Sequence, residues 1–585
     1  MRKRFHRVTA ALLAATMLLG MTACGGESEP TPSTDVMLDN GNILTAPAEQ
    51  GTEEELTAVR DKLVKARETK GLGTVEKLEL YENGVRVSGD EFVQVKDNKK
   101  FYYAGDVKRL VNYPDGYMLD LPADWEPDFS LSTAVSVFET DDVTLVVSDE
   151  SDAIDVYGTA EDALDAFFQY TNNTSHQNKN RIKEIEEQTV AFDEDTTLFL
   201  LRLRLLQVPD DVKSYYTYAV FYSERKITYL MFKCIDNRRF ESVYSTYQSI
   251  YEKGYGTDRI AYPEEASPSW NEETRALYDR IQNTDKVMWG LYNGNMEWSP
   301  LESSYPSLEA KLEHKFDIVT SYTDSVDYQF PVDAARAVDE DGRFLQFTFH
   351  FGYGSSRIGE AAPILDVYRG RFDEDFRRLA KQIVAFGRPM LFRVNNEMNS
   401  DWTSWAAVNA LNDPAIFCET WIRLYDIFEE EGANEFLIWV WNPQGAMTAP
   451  VANWNDLRLY MPGAKYVDML GLTAYNFGDD EQWSSFEELY DMLETYYAPL
   501  FGDWAWMISE FGCSDSSENP DNEGRRVQWI EEMFDCFEQG KYPNIKAAVW
   551  FNSNDYANGE LIHEISLSRD AAACEAFADG LDRTQ

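Results

Sequence analysis

Two apolar stretches of this 585-residue chain end in a glutamate. One reads Arg393-Val394-Asn395-Asn396-Glu397-Met398-Asn399, the other Ile508-Ser509-Glu510-Phe511-Gly512. A carboxylate at the end of an apolar strand, among aromatic residues, is expensive to bury without a purpose. One alone could simply cap the helix that follows. Two on non-adjacent strands suit glycoside hydrolysis, in which one carboxylic acid protonates the leaving oxygen and one carboxylate attacks or activates water. Further strand ends carry His350, Trp441 with Asn442, Tyr475 with Asn476, and Trp550. Aromatic faces that can stack on sugar rings, with amides and a histidine for hydroxyls, are a sugar-site composition. Core packing alone would favour Val, Ile or Leu at these ends.

For both glutamates to face one mouth, the elements carrying them must share one sheet. From about residue 270, β-rich apolar runs alternate with helical stretches. Strands are expected over 287–292, 316–322, 345–351, 390–396, 436–441, 469–475, 506–511 and 547–552, with helices over 372–385, 417–431, 486–497 and 527–537. Near-continuous apolar strands alternating with helices are what a parallel sheet covered on its outer face requires. Eight such units predict an α/β fold, a (β/α)8 TIM barrel over 270–585, with the active site at the C-terminal ends of its strands. A doubly wound sheet is the alternative, but no Gly-rich phosphate fingerprint follows the first strand.

The Asn-Glu ending the fourth strand, with Glu at the end of the seventh, resembles the clan of retaining barrel glycosidases. Within it, residues 392–443 resemble glycoside hydrolase family 26, the family of β-mannanases and of some mixed-linkage glucanases and xylanases. The matching features are Arg393 with Glu397-Met398-Asn399, then Trp402 and Trp405, Asn412-Asp413-Pro414 with Phe417 and Trp421, and Trp439-Val440-Trp441-Asn442-Pro443. Tyr475, Glu510 and Trp550 fall where that family has its nucleophile-positioning Tyr, its nucleophile and its sugar-platform Trp. The resemblance covers about 280–580. It implies Glu397 as acid/base and Glu510 as nucleophile, about 5–5.5 Å apart as in retaining enzymes. Tyr475 and Arg393 would hold Glu510 in its charged form, and Glu397 must carry a raised pKa. Trp402 and Trp405 are expected on the leaving-group side, and His350 at the barrel mouth. One departure stands out: the family's acid/base commonly follows a His, and here it follows Asn396, as in the wider clan, where that Asn contacts the sugar 2-hydroxyl. Mannose and glucose differ in that hydroxyl, so the sugar is less defined than the chemistry. The function implied is a retaining glycosidase acting on β-mannan or mixed-linkage β-glucan. A hydrolase of another family in the clan, or a non-catalytic glycan-binding lipoprotein, are the alternatives.

The remainder of the chain places this barrel. Arg2, Lys3, Arg4 and Arg7 precede a short apolar run and the lipobox-like Met21-Thr22-Ala23-Cys24. Residues 1–23 therefore read as a lipoprotein signal peptide, Cys24 as the lipidated mature N-terminus, and 24–52, rich in Pro, Gly, Ser and Thr, as a flexible tether. That predicts a protein anchored on the outer face of a bacterial membrane. Residues 53–262 read as a smaller α+β region of unassigned role. Its expected strands lie at 77–81, 101–104, 144–147 and 197–206, its helices at 160–170 and 240–251, and its hairpin at 215–223 and 227–234. A net charge of −49 argues against a nucleic-acid partner, because such affinity comes mainly from Lys and Arg on phosphates. Cys234, Cys418, Cys513, Cys536 and Cys574 are scattered, with neither zinc-like spacing nor the look of a disulfide framework. No metal and no cofactor is expected. The partners expected are a polysaccharide and, through the anchor, a membrane; a monomer is expected.

Overall fold

The fold is that of a computed structural model. It describes residues 107–249 and 269–584, apart from 113–114, 129–134, 194, 295–299, 324–328, 353–360, 446–451, 478–482, 494–500, 502–503, 515–523 and 558, together with short strands before residue 107. The signal segment, Cys24, most of the tether, the expected strand at 77–81 save its last residue, and the boundary near 263–268 lie outside the described residues.

The chain divides into two compact units: Met1–Gln169, Gln177–Ile260 and Val451–Asn453 form one, and Tyr170–His176, Ala261–Pro450 and Trp454–Gln585 the other. In the second, eight parallel strands close into a barrel in sequence order. They are β1 (Met288–Tyr292), β2 (Ile318–Thr323), β3 (Phe344–Phe349), β4 (Met390–Val394), β5 (Leu437–Trp441), β6 (Met469–Asn476), β7 (Trp506–Cys513) and β8 (Ile545–Phe551). All eight expected strands are present. Helices alternate with them: α1 (Glu272–Gln282) before β1, then α2 (Ser304–Leu312), α3 (Val332–Glu340), α4 (Asp373–Phe386), α5 (Pro414–Glu430), α6 (Phe486–Met492), α7 (Arg525–Glu538) and α8 (Ala571–Thr584). Local chemistry sets their ends. The side chain of Asp413 accepts from the Ala415 N–H and Pro414 opens α5, while Ser485 and Glu488 form a capping box at α6. Gly387 ends α4 in the left-handed region at φ 68°. Between β5 and β6 the described chain runs through 3-10 turns at Leu457–Tyr460 and Ala464–Tyr466 instead of an α-helix.

The barrel interior has two storeys. Met288, Ile318, Leu391, Ile438, Val440, Met469, Met507, Ala547 and Val549 form an apolar plug, which Leu277 and Ile281 of α1 close from below. Towards the C-terminal ends follows a wholly buried polar layer of Thr320, Gln346, Thr348, Arg393, Asn442, Thr473 and Ser509. Gly471 makes room for it, since a Cβ there would meet Ser509 Oγ and lie 2.9 Å from Asn442 Cβ.

The first unit is antiparallel. A seven-stranded sheet runs in the spatial order Ile182–Ala191, Thr197–Leu205, Tyr215–Tyr222, Ile227–Cys234, Val143–Asp149, Ser136–Glu139 and Glu126–Asp128, and a five-stranded sheet includes Tyr117–Pro122 and Val107–Asn112. Leu110 and Leu119 of one share a core with Leu145, Leu200 and Phe232 of the other. The expected hairpin and the strand near 197 are present. Ile182–Ala191 escapes the sequence reading because Lys183, Glu184, Glu186 and Glu187 give it the polarity of a loop, which an edge strand tolerates. The helix expected over 240–251 is confined to Glu241–Tyr244. Beyond it the Thr246 hydroxyl donates to the Val243 carbonyl and accepts from the Asp120 N–H at 2.9 Å, and Gln248–Ser249 then pairs with Tyr117–Met118. Among the described residues no helix is long and apolar enough to cross a membrane. The five cysteines named above are all thiols.

Candidate functional site

The turn leaving β4 is bent so as to present Glu397. Asn395 and Glu397 both lie in the left-handed region, at φ 45° and 59°, which a non-glycine residue occupies only when its surroundings over-determine it. They do so here. The Asn395 N–H donates to the Phe349 carbonyl at 2.9 Å, its side-chain oxygen accepts from the Phe351 N–H at 2.8 Å, and the Glu397 N–H donates to the Asn442 carbonyl at 2.8 Å. Glu397 is thus clamped between the ends of β3 and β5.

Its carboxyl is buried. The indole N–H of Trp402 donates to Oε2 at 3.0 Å and the Asn396 amide to Oε1 at 3.3 Å. Burial first, and then the charge of Glu510, push its pKa up to about 8, against the lowering pull of Arg393 and of hydrogen bonds from Trp402 and Thr473. At neutral pH Glu397 therefore carries its proton, as a general acid must.

Glu510 meets a different environment although it is buried as well. Arg393 Nη2 donates to Oε2 at 2.9 Å, the Tyr322 hydroxyl donates to the same oxygen, and Tyr475 donates to Oε1 at 2.8 Å. Arg393 is fully buried and is held by Thr348 through Nε (2.9 Å) and by Asn442 through Nη1 (2.9 Å), with Nη2 2.7 Å from the Tyr322 hydroxyl. A guanidinium fixed at each nitrogen holds Nη2 on one Glu510 oxygen as a single, rigidly aimed charge-assisted contact. Two glutamates thus acquire opposite characters: one protonated, the other ion-paired.

A second feature supports Glu510 from below. The β6–β7 pairing steps from Leu472↔Ile508 to Thr473↔Glu510, and the β7–β8 pairing from Ile508↔Ala548 to Phe511↔Trp550, so Ser509 falls in a bulge on both sides. Gln346, from β3 across the barrel, donates through Nε2 to the Ser509 carbonyl at 3.1 Å and to Thr320 Oγ1 at 3.1 Å.

Of the other residues singled out from the sequence, His350 places Nε2 at 2.7 Å from Asn396 Oδ1. Because that oxygen can only accept, Nε2 carries the proton. The His350 ring lies 4.6 Å from that of Trp405, whose indole donates to the Asn396 carbonyl at 2.9 Å. Trp405 is buried and acts as a brace for Asn396, whereas Trp402 is 54% exposed beside Glu397. Trp441 and Trp550 correct the sequence reading, because both are buried and offer no ring face to a ligand. The Trp441 indole donates to the Tyr460 carbonyl and its ring packs near Phe501. Trp550 packs among Phe511, Trp529 of α7 and Phe577 of α8. Strand parity explains both: Val440 and Val549 belong to the interior plug, so the next residue points outwards and the one after it inwards. The outward residues are Trp441 and Trp550, and the inward ones are Asn442 and Phe551. Phe551 lies 6.0 Å from the Tyr475 ring, 6.1 Å from Tyr322, and stacks on Tyr292 at 4.5 Å. Tyr322, Gln346 and Phe551 went unread in the sequence; for Tyr322 the signal was there, a tyrosine at a strand end like Tyr475. Among the described residues no group of His, Cys, Asp and Glu is arranged to hold a metal.

The site is thus a pair of buried glutamates at the C-terminal end of a closed parallel eight-stranded barrel. Residues 359–503, which include Glu397 and Tyr475, match the family model described as Glycosyl hydrolase family 26. Endoglucanase H of Acetivibrio thermocellus is 26% identical over 283 residues, 45% of this chain and 29% of its own length. Mannan endo-1,4-beta-mannosidase of Bacillus subtilis strain 168 is 31% identical over 107 residues, 18% of this chain and 27% of its own. The chain thus spans less than a third of either relative. A solved Bacillus subtilis mannanase aligns at 15% identity and a TM-score of 0.37, over 54% of this chain and 93% of its own.

Proposed function

We propose that this protein is a retaining glycosidase acting on a β-linked polysaccharide, β-mannan or mixed-linkage β-glucan, by double displacement. The observation that carries the reading is the division of labour between the two glutamates, one held protonated by burial and the other ion-paired to a fixed arginine. In the first step a Glu510 oxygen bonds to the anomeric carbon as the glycosidic C–O bond breaks, and Glu397 gives its proton to the departing oxygen. In the second, Glu397, now ionised, takes a proton from water as the water oxygen displaces Glu510. Tyr475, Tyr322 and Arg393 orient Glu510. Asn396, turned by His350, offers its remaining amide hydrogen to the sugar 2-hydroxyl. Trp402 offers its exposed face to the leaving-group side, and Phe551, in place of Trp550, lines the sugar pocket.

The family match over 359–503 and the endoglucanase and mannanase relatives support this substrate class. The test is reducing-sugar release from mannan, mixed-linkage glucan, xylan and carboxymethyl-cellulose, with NMR of the first-formed anomer. We expect activity on mannan or mixed-linkage glucan with retained configuration, both lost in Glu510→Ala. Inversion, or turnover surviving in that variant, would sink the mechanism; binding without product would favour a capture protein. Lipidation at Cys24, and with it an anchored extracellular location, is proposed from the signal sequence and is checked by mass spectrometry of the mature N-terminus.

A further inference from the structure

Tyr475 holds Glu510 through one hydroxyl, which donates to Oε1 at 2.8 Å. A reactive geometry has to be kept to within about 0.5 Å, so the packing of the tyrosine ring bears on the chemistry. Phe477, two residues further along the chain, stacks on that ring with centroids 5.1 Å apart and planes 13° apart. Phe551 meets it edge-on, at 6.0 Å and 88°. Gly512, its register partner on β7, lets it lie close to the backbone, since a Cβ there would be 3.4 Å from Tyr475 Cε1.

These contacts all lead to the chain that ends and follows β8. Phe551 is the last residue of that strand. Ile565 reaches over Gly512 as well, close enough that a Cβ at 512 would collide with its Cγ2. Between Phe551 and Ile565 lies a short hairpin, Asp555–Ala557 paired with Glu560–His563. Its last residue, His563, packs its ring 4.4 Å from that of Phe477. His563 is held in turn, with Nδ1 3.2 Å from Oδ2 of Asp555, the residue opposite it in the hairpin. Tyr556 and Leu561, paired on the other face, take no part.

The base of the hairpin is fixed to the barrel. The Glu564 N–H donates to Ser514 Oγ at 3.0 Å, and Asn554 Oδ1 accepts from the N–H groups of Ile565 and Ser566 at 2.9 and 2.7 Å. A line of contacts thus runs from an anchored turn through His563, Phe477 and Tyr475 to the nucleophile. Phe477 is 41% exposed, so its burial contributes little to the core. What its ring does is fill the space into which Tyr475 could otherwise tilt.

We propose that Phe477 and His563 are positioning residues for the nucleophile, a brace that keeps the Tyr475 hydroxyl on Glu510. The proposal rests on the glycosidase reading above for the reaction it serves. Such a brace acts on kcat and leaves KM alone. A conservative ring restores it, and it has nothing left to act on once the hydroxyl is gone.

The experiment measures kcat and KM on the polysaccharide that the wild type degrades. It compares wild type, Phe477→Ala, Phe477→Tyr and His563→Ala, and repeats the two alanine variants in a Tyr475→Phe background. Thermal unfolding is followed for each, and crystal structures are determined for wild type and the alanine variants. We expect kcat to fall about fivefold to tenfold in Phe477→Ala and about twofold to threefold in His563→Ala, as coupling between residues in contact implies. KM should stay nearly constant. Phe477→Tyr, which keeps the ring, should restore kcat to within about twofold of wild type. In the Tyr475→Phe background neither alanine should lower kcat further by more than about twofold. In the Phe477→Ala crystal the Tyr475 hydroxyl should lie beyond about 3.5 Å from Glu510. Losses that multiply with Tyr475→Phe, or a loss confined to KM, as a sugar contact would give, overturn the brace. So does an unchanged kcat in Phe477→Ala. If Phe477→Ala does not fold, His563→Ala decides by the same criteria. If the wild type hydrolyses nothing, the glycosidase reading fails and the brace is judged on the crystal structures alone, where a hydroxyl still bonded to Glu510 in Phe477→Ala overturns it.

Discussion

Replacing Glu397 by Gln removes a group whose proton affinity is raised by folding, and the effect has a definite sign and size. In the unfolded chain its carboxyl titrates near the model value of 4.5, and in the folded site near 8. Below about pH 4.5 it is protonated in both states and adds no pH dependence. Between the two values the folded protein keeps a proton that the unfolded chain has released, so stability falls by about 1.4 kcal/mol per pH unit. Above about pH 8 the whole penalty, on the order of 5 kcal/mol, is present. A glutamine has no charge to bury and keeps one oxygen, which can accept from Trp402 or from Asn396 but not from both, since the two donate to different carboxyl oxygens; that loss is the same at every pH. The assay is urea denaturation of the barrel, followed by tryptophan fluorescence at about pH 5, 6, 7, 8 and 9. Glu397→Gln should become progressively more stable relative to wild type across that window and level off near its top. The same substitution should abolish polysaccharide cleavage, while wild-type kcat/KM declines as pH rises through about 8. A stability difference that stays flat from pH 5 to 9 would refute the assignment of a raised pKa to this carboxyl.

Three other substitutions probe its neighbours. Trp402→Phe removes the N–H that holds Glu397 down, so the alkaline limb of the kcat/KM profile should move to higher pH; a move to lower pH contradicts the geometry. Tyr475→Phe deletes one charge-assisted bond to Glu510, worth about 1.5–3 kcal/mol, and should cut kcat about tenfold to a hundredfold with KM nearly constant. Gln346→Leu strips the bulge of its donor and should lower stability by about 1–3 kcal/mol and kcat about tenfold at unchanged KM, measured by thermal unfolding and steady-state kinetics. Loss of stability with kcat intact would reduce Gln346 to a packing role.

Much of the barrel was legible because its strands are short, apolar and separated by amphipathic helices, which leaves few readings of the order. Glu397, Arg393, Tyr475 and Glu510 could be placed near one another as strand-end residues once the barrel was recognised. The misreadings of Trp441 and Trp550 share one cause. A parallel strand buried on both faces lacks the polar alternation that tells inside from outside. Trp441 and Trp550 therefore looked as available to the mouth as Asn442 and Phe551. Gln346 was unreadable for another reason: its importance lies in a register shift of β7, and a bulge leaves no mark in composition. In the antiparallel unit, charge hid the edge strand Ile182–Ala191, and the chain after Tyr244 leaves the expected helix to pair Gln248–Ser249 with Tyr117–Met118.

The two storeys of the barrel interior also divide the molecule by what can vary over descent. In the plug, one hydrophobe can stand in for another of similar volume at small cost. In the polar layer above it, Arg393, Asn442 and Gln346 each hold two or more neighbours at once, so a single exchange strands a buried partner. Exposed side chains such as Leu561 and Ile562, on the short hairpin after β8, carry neither constraint, and little depends on their exact volume. A lineage could therefore change the sugar it grips by trading exposed residues while inheriting the carboxylate apparatus intact. Preference for a polysaccharide would be the quickly changing character of such a protein and its chemistry the slow one.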